Sequence, residues 1–362
     1  MSDEKIVPGS VYFYAPNKGA AIFFTVAFAV SGLYHVWQCF YFKCFKLTTL
    51  LTLSCAVLTT AYATRAYGSV HYDDAQVYTA STLLLYIAPP IFQLANLQIL
   101  GRLYHFVPYF ALMHPARMFL TFASITAVIE ILAVMGVAYL SNRSLPEKST
   151  QMGDAMAKAS LVLQLLQIAI TLLMLITFHH VSRQGKITKS PRVTRPLAIL
   201  YTTTGLLLLR TLYATIYHFT TPANPTLALQ DQNGPALPSI LLREVYFLVL
   251  DSTPILLTTI LWNIFHPRSY LPADDTRYLA QDGQTELKGP GWKDSRSLTE
   301  TFMNPFASLT HRAAHEKPFW ERNGYAFGRS GRVVRTGGQG GRRAANQTHS
   351  QTQSHGVLGA QA

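Results

Sequence analysis

The sequence predicts an all-α protein, a seven-transmembrane helical bundle with a disordered C-terminal tail. Three observations predict it. Only 13% of the 362 residues are charged and 49% are hydrophobic, whereas about a quarter of a soluble domain is charged. The apolar residues gather into seven stretches near the length of about 20 residues that carries a helix across roughly 30 Å of hydrocarbon. From residue 267 the composition turns to Gly, Ser, Gln, Arg and Thr without apolar periodicity, and such a segment buries too little to offset the entropy of ordering. The mean hydropathy of +0.18 averages these two unlike parts.

The first stretch, 19–42, follows MSDEKIVPGS, which lacks a basic leader region, and it is too long for a cleaved signal. It is expected to stay as the first span, with residues 1–18 outside the membrane. Trp37, Phe40 and Tyr41 mark its inner end, where aromatic rings favour the interface. The second stretch, 47–64, is the shortest. The third, 76–100, contains Pro89 and Pro90, which predict a break or kink near mid-membrane. The remaining stretches are 118–140, 159–181, 196–219 and 240–265, the last closing on Trp262 and Phe265. The expected organisation is therefore residues 1–18, a membrane domain over 19–266, and a mostly disordered tail over 267–362.

Seven spans place the termini on opposite sides, and basic residues in short loops decide which side is cytoplasmic. One set of loops holds nine: Lys43, Lys46, Arg102, Arg117, Arg183, Lys186, Lys189, Arg192 and Arg195. The other set holds five: Arg65, Arg143, Lys148, Lys158 and Arg243. The N-terminus is expected outside and the tail in the cytosol, in the plasma membrane. Asn142-Arg143-Ser144 then lies in an external loop, open to glycosylation at Asn142, while the sequon at Asn346 stays cytosolic. The net charge of +12 reads as topology. The five arginines among glycines in 329–343 resemble an RGG-type segment, but a solvated tail is the simpler reading, and no nucleic-acid partner is expected.

Ionisable side chains at bilayer depth cost at least about 2.5 to 3.5 kcal/mol each, so they pair or line a polar cavity. Glu130, Arg210 and Asp251 fall roughly 12 to 16 Å below the external hydrocarbon surface, and Gln164 and Gln167 fall in the same layer. Two readings stand. Arg210 and Asp251 form a buried pair that fixes packing, with Glu130 protonated or bonded to a neighbour. Alternatively, the three ring an outward-open cavity whose net charge of minus one suits an ammonium group. Glu244 sits beside Arg243 at the external mouth, where a solvated helix end is the simpler reading.

His179 and His180 are adjacent and point to different helix faces, no H-x3-H spacing occurs, and His35 and His266 lie far from Asp251. That distribution argues against an intramembrane zinc hydrolase. His35 reads as a polar residue on a helix interface. Cys39, Cys44 and Cys55 have no C-x-x-C spacing, so neither a disulfide framework nor a zinc knuckle is expected. Cys39 and Cys44 flank a membrane end where palmitoylation occurs, unmodified thiols being the simpler reading. With no P-loop, Rossmann glycines or nucleophile elbow, no enzyme activity, cofactor or metal is expected.

Several short motifs stand in one order along the chain. They are Tyr14 and Pro16 before the first helix, His35 and Gln38 in it, and Tyr62 and Arg65 ending the second. Pro89 and Gly101-Arg102 follow on the third, then Glu244, Asp251, Asn263 and His266-Pro267 on the seventh. Together they resemble the fungal lipid-translocating-exporter family, the RTA-like proteins of aminocholesterol resistance. The chain departs from that pattern at Thr126 and Ala133, where the family carries Asp and Gln, and at Ala214 and Tyr217, where it carries Arg and Glu. The resemblance implies translocation or efflux of an amphipathic molecule, such as a sphingoid base, sterol-like amine or secondary metabolite, and resistance to membrane-active compounds. Membrane lipids or amphipathic small molecules are then the partners. A polar path is expected to link the outer layer to Gln93, Asn96, Gln98 and His35. The alternative, a receptor-like sensor without transport, predicts a closed cytoplasmic end.

Overall fold

The structure is a computed structural model that describes residues 16–303 apart from 72, 143–144, 186, 222–242, 273, 281–282 and 290–296. The arginines of 329–343, the sequon at Asn346, Tyr14, and Arg143 and Ser144 of the first sequon lie outside the described residues.

Seven helices are long and apolar enough to cross a membrane. They are α1 (Lys18–Phe42), α2 (Phe45–Gly68), α3 (Ala75–Phe106), α4 (Pro115–Ser141), α5 (Glu147–Gln184), α6 (Pro191–Thr220) and the span α7 (Glu244–Ser269). Polar caps and prolines set several ends. The Asn17 side chain accepts from the Ala20 amide, Asp74 accepts from Gln76 and Val77, and Pro115 and Pro191 open α4 and α6. Most helices run past the apolar stretches. The clearest case is α5, which begins at Glu147, not 159, because its first turns carry Lys158 and Asp154, paired at 2.6 Å one turn apart. Hydropathy reports only the part in hydrocarbon, while the backbone ladder continues into the headgroup layer. The expected start of the seventh span, at 240, lies outside the described residues.

Sequential helices pack side by side from α1 to α7, and α7 returns to α1. Ser31 donates to Thr259 at 2.7 Å, and Asn263 donates to Ser31 at 2.7 Å. The most enclosed helix is α3, packed by α2, α4, α5 and α6. Small residues let α4 and α5 approach closely: a Cβ on Gly136 would stand 2.6 Å from the Ala157 amide nitrogen.

Two local features differ from ordinary helix. The expected break at Pro89-Pro90 does not occur, and α3 is continuous through both prolines. Their missing amides instead strip the Leu85 and Tyr86 carbonyls of their usual partners. In α7 the backbone widens into a π-helical turn at Leu248–Ser252, just before Pro254. Thr253 closes that turn by donating its hydroxyl to the Leu248 carbonyl at 2.7 Å.

Ordered packing also continues past residue 267. A hairpin of β1 (Arg277–Leu279) and β2 (Glu286–Lys288) folds against the bundle, with Leu271, Tyr278 and Leu279 buried. The Tyr278 ring stacks on His105 at 5.3 Å, and Arg102 holds Asp275 and the Pro272 carbonyl. Gly283 turns the hairpin with a left-handed φ of 72°. A six-residue helix, α8 (Leu298–Met303), follows.

Candidate functional site

The seventh span carries three polar levels, each tied to different helices. At its first turn, Glu244 forms an ion pair with Arg65 of α2 at 2.9 Å and accepts from the Asn17 amide at 2.6 Å. Both side chains are largely buried, and the Arg65 guanidinium lies 4.5 Å from the centre of the Phe247 ring. The solvated helix end expected at Glu244 is therefore corrected. A carboxylate so enclosed needs a partner from another helix, and Arg65 supplies it.

The middle level holds Arg210 and Asp251, 2% and 3% exposed. Arg210 Nε stands 2.6 Å from Asp251 Oδ1 as a charge contact without hydrogen-bond alignment. Arg210 Nη2 donates to the Leu85 carbonyl at 3.4 Å, the acceptor freed by Pro89, and the guanidinium lies 6.0 Å from the Tyr86 ring centre. One arginine on α6 thus joins α3 to the π-helical turn of α7. Beside Asp251, Ser252 accepts from the Tyr62 hydroxyl at 2.5 Å.

Gln167 donates to Thr126 at 3.0 Å, fixing the register of α4 against α5. One turn along each helix from that bond stand Glu130 and Gln164, so these two share a level. Several buried polar atoms in this layer have no hydrogen-bond partner: both Glu130 carboxyl oxygens, Gln164 Nε2, Arg210 Nη1 and Asp251 Oδ2. Donors and acceptors are both represented. The layer therefore has unmet capacity for a group that carries an ammonium or a hydroxyl.

His35 lies at the third level, where α1 meets α7 around Asn263 and His266. It is fully buried on the α1–α7 seam, and its ring nitrogens have no hydrogen-bond partner. Along the helix axis it lies roughly 12 to 18 Å from Asp251. Nearby, Gln38 donates to the Asn263 carbonyl at 2.8 Å, and His266 stacks on Phe42 at 4.7 Å. Cys39 and Cys44 are buried here, Cys44 Sγ 3.7 Å from His266 Nε2. Among the described residues no group of three or more His, Cys, Asp or Glu side chains is arranged to hold a metal ion.

Three of the groups expected to line a polar path bond to neighbouring helices, while the Gln93 and Gln98 side-chain carbonyls are buried without a partner. Gln93 donates to Thr171 at 2.8 Å, Asn96 accepts from Trp262 at 2.9 Å and donates to Thr204 at 3.4 Å, and Gln98 donates to the Lys46 carbonyl. These bonds stitch α3 to α5, α6, α7 and α2. Arg65, Tyr62 and the Leu85 carbonyl enter the polar levels without having been chosen as site residues. The spacing of Pro89 four residues after Leu85 was the readable signal for the last.

The motif residues of the second and seventh helices meet in space, as Arg65 does with Glu244. The RTA1 like protein family matches residues 51–274, a stretch that runs from within α2 to just past α7 and contains both motif residues. The chain belongs to this family. Among its relatives, a lipid-translocating exporter-like protein RTA1 of Leptosphaeria maculans is 36% identical over 298 residues, covering 80% of this chain and 57% of its own. The RTA1-like chain thus spans little more than half the length of that relative. A lipid-translocating exporter-like protein RTA1 of Ajellomyces capsulatus is 25% identical over 273 residues, covering 72% of this chain and 81% of its own. No solved structure matches the RTA1-like chain.

Proposed function

We propose that this RTA1-like protein translocates, or helps to translocate, an amphipathic molecule across or between the leaflets of a membrane. The names of the two relatives support a lipid-like cargo. The observation that carries the reading is the buried layer of Glu130, Arg210, Asp251 and Gln164, whose charges are only partly matched inside the bundle. Two carboxyl groups against one guanidinium suit a cationic headgroup, such as that of a sphingoid base or a sterol-like amine. In this reading Gln167 shapes the wall of the layer, Glu244 closes one end of the path, and His35 lies toward the other. The protein does no bond chemistry, and resistance to membrane-active compounds follows from removal of the cargo. The N-terminus faces outward in the plasma membrane, the tail is cytosolic, and Asn142 is open to glycosylation.

The test is Glu130→Gln, which removes negative charge while keeping shape and the capacity to hydrogen-bond. The variant is expected at normal abundance with export of labelled cationic amphiphiles reduced about tenfold or more, and export of a neutral analogue of the same size little changed. Normal handling of both by a well-expressed variant removes the cationic-site reading.

A receptor-like sensor is the second reading. It is favoured by the bonded layer of Gln93 and Asn96 and by the hairpin folded over the His266 end. A labelled-amphiphile flux identical with and without the gene, together with a protein partner recovered only when the amphiphile is present, would favour it.

A further inference from the structure

The segment behind α7 turns back on the bundle and borders a half-open cavity of about 260 Å3. Its wall includes Arg192 at the start of α6, Arg268 and Tyr270 behind α7, and Asp274, Arg277 and Glu286 of the hairpin segment. Both carboxylates are engaged. Glu286 bridges Arg192 and Arg277, contacting Nη1 of each, and Asp274 accepts from the amide and hydroxyl of Thr276. The two bridged arginines keep further N–H groups for another acceptor. Arg268 differs from them. Among the described residues it has no carboxylate within ion-pair distance; its Nη1 donates to the Leu271 carbonyl at 3.0 Å, and its Nε is enclosed without a partner.

A guanidinium stays charged at every physiological pH, and its planar fork of donors matches the oxygens of a phosphate. Arg268 is half-buried, and its Nε, buried without a partner, leaves a donor unmet until an acceptor completes it. Depth indicates which anion. Arg268 stands one turn beyond Ile264, which is 66% exposed on the apolar surface of the bundle. The cavity therefore lies within about a helical turn of the hydrocarbon edge, in the layer that lipid headgroups occupy.

We propose that this cavity binds the phosphate group of a membrane-lipid headgroup, with Arg268 as the anchor and Arg192 and Arg277 as flanking donors. The site is separate from the Glu130 layer and does not depend on transport. Occupancy would tie α6, α7 and the hairpin together, because all three contribute a donor or a wall.

The experiment uses the full chain purified in detergent, with thermal unfolding followed during titration by phosphatidic acid. Diacylglycerol of the same acyl chains and inorganic phosphate are titrated in parallel. Phosphatidic acid is expected to raise the unfolding temperature, with diacylglycerol and inorganic phosphate far weaker. Arg268→Gln is expected to weaken the phosphatidic acid response about tenfold or more, and Arg268→Lys to weaken it less. If Arg268→Gln does not fold, Arg277→Gln, at a more exposed position, is expected to weaken the response severalfold. Equal responses to phosphatidic acid and diacylglycerol overturn the proposal. So does an undiminished response in the folded arginine variant, or an inorganic phosphate response equal to that of the lipid.

Discussion

Arg210 shows how much one side chain can hold in place where water is absent. It reaches Asp251 on α7 and the Leu85 carbonyl on α3, and its own helix supplies neither contact. Removing one member of a buried pair strands the other charge, which typically costs about 3 to 5 kcal/mol. Arg210→Met and Asp251→Ala are therefore each expected to deplete the protein from the membrane, as measured by quantitative immunoblot and size-exclusion profile. The exchange Arg210→Asp with Asp251→Arg is expected to restore part of that abundance. Single variants at wild-type abundance would remove the pair from any structural role. Tyr62→Phe is a milder probe, since it loses only the hydroxyl bond to Ser252 and is expected to cost about 1 kcal/mol. Hydropathy and helical rise were enough to place Arg210 and Asp251 at one level, where they meet. The pairing of Glu244 with Arg65 was not legible, because both lie near helix ends and a one-dimensional reading does not say which ends converge.

At the scale of the helix, the double proline of α3 acts through what it frees and leaves the helix unbroken. Replacing Pro89 by alanine supplies an amide to the Leu85 carbonyl, and that amide competes with Arg210 for the same acceptor. Pro89→Ala with Pro90→Ala is expected to express well and fold, with activity reduced severalfold. Full activity in the double variant would show that Arg210 does not need the acceptor. The contact of α4 with α5 offers a second test, because Gly136 faces backbone atoms that have no rotamer to escape through. Gly136→Val is expected to destabilise by roughly 1 to 3 kcal/mol, read as a lower unfolding temperature. Glycine can be found by reading the chain. Which helix lies against it cannot, because the answer depends on how α4 and α5 cross.

For the whole molecule, the hairpin behind α7 is the largest departure from what composition implies. Its residues are polar and of low periodicity, yet Leu271, Tyr278 and Leu279 are buried, with β1 packed on the end of α3. Burial alone pushes the Glu286 carboxyl up, but hydrogen bonds and charge from Arg277 and Arg192 outweigh it and hold the group below its ordinary value of 4.5. A carboxyl lowered by folding adds stability above that ordinary value, and the stability is lost as pH falls through the folded value. Hydrogen exchange across 277–288, corrected for intrinsic rates, is therefore expected to speed up as pH falls below about 4.5. Glu286→Gln is expected to flatten that response. A wild-type hairpin indifferent to pH would show that Glu286 contributes nothing to docking. Topology belongs to this scale as well. A reporter fused to the tail is expected to read as cytosolic, and external labelling of the tail would reverse the proposed orientation.

The sequence by itself determined that this chain is a membrane bundle of seven helices, and which of its charges fall within the apolar spans. The reason is local: a run of about 20 apolar residues must satisfy its own backbone in lipid, and only a helix does so within one segment. The motifs along four of those helices were likewise legible as a family likeness. Tertiary structure alone decided who meets whom. Arg65 finds Glu244, Arg210 finds a carbonyl that a proline released, and a polar segment after the last helix finds a surface to dock on. Each of these contacts joins residues remote in the chain, and its strength comes from a neighbour that excludes water, a property no single segment possesses.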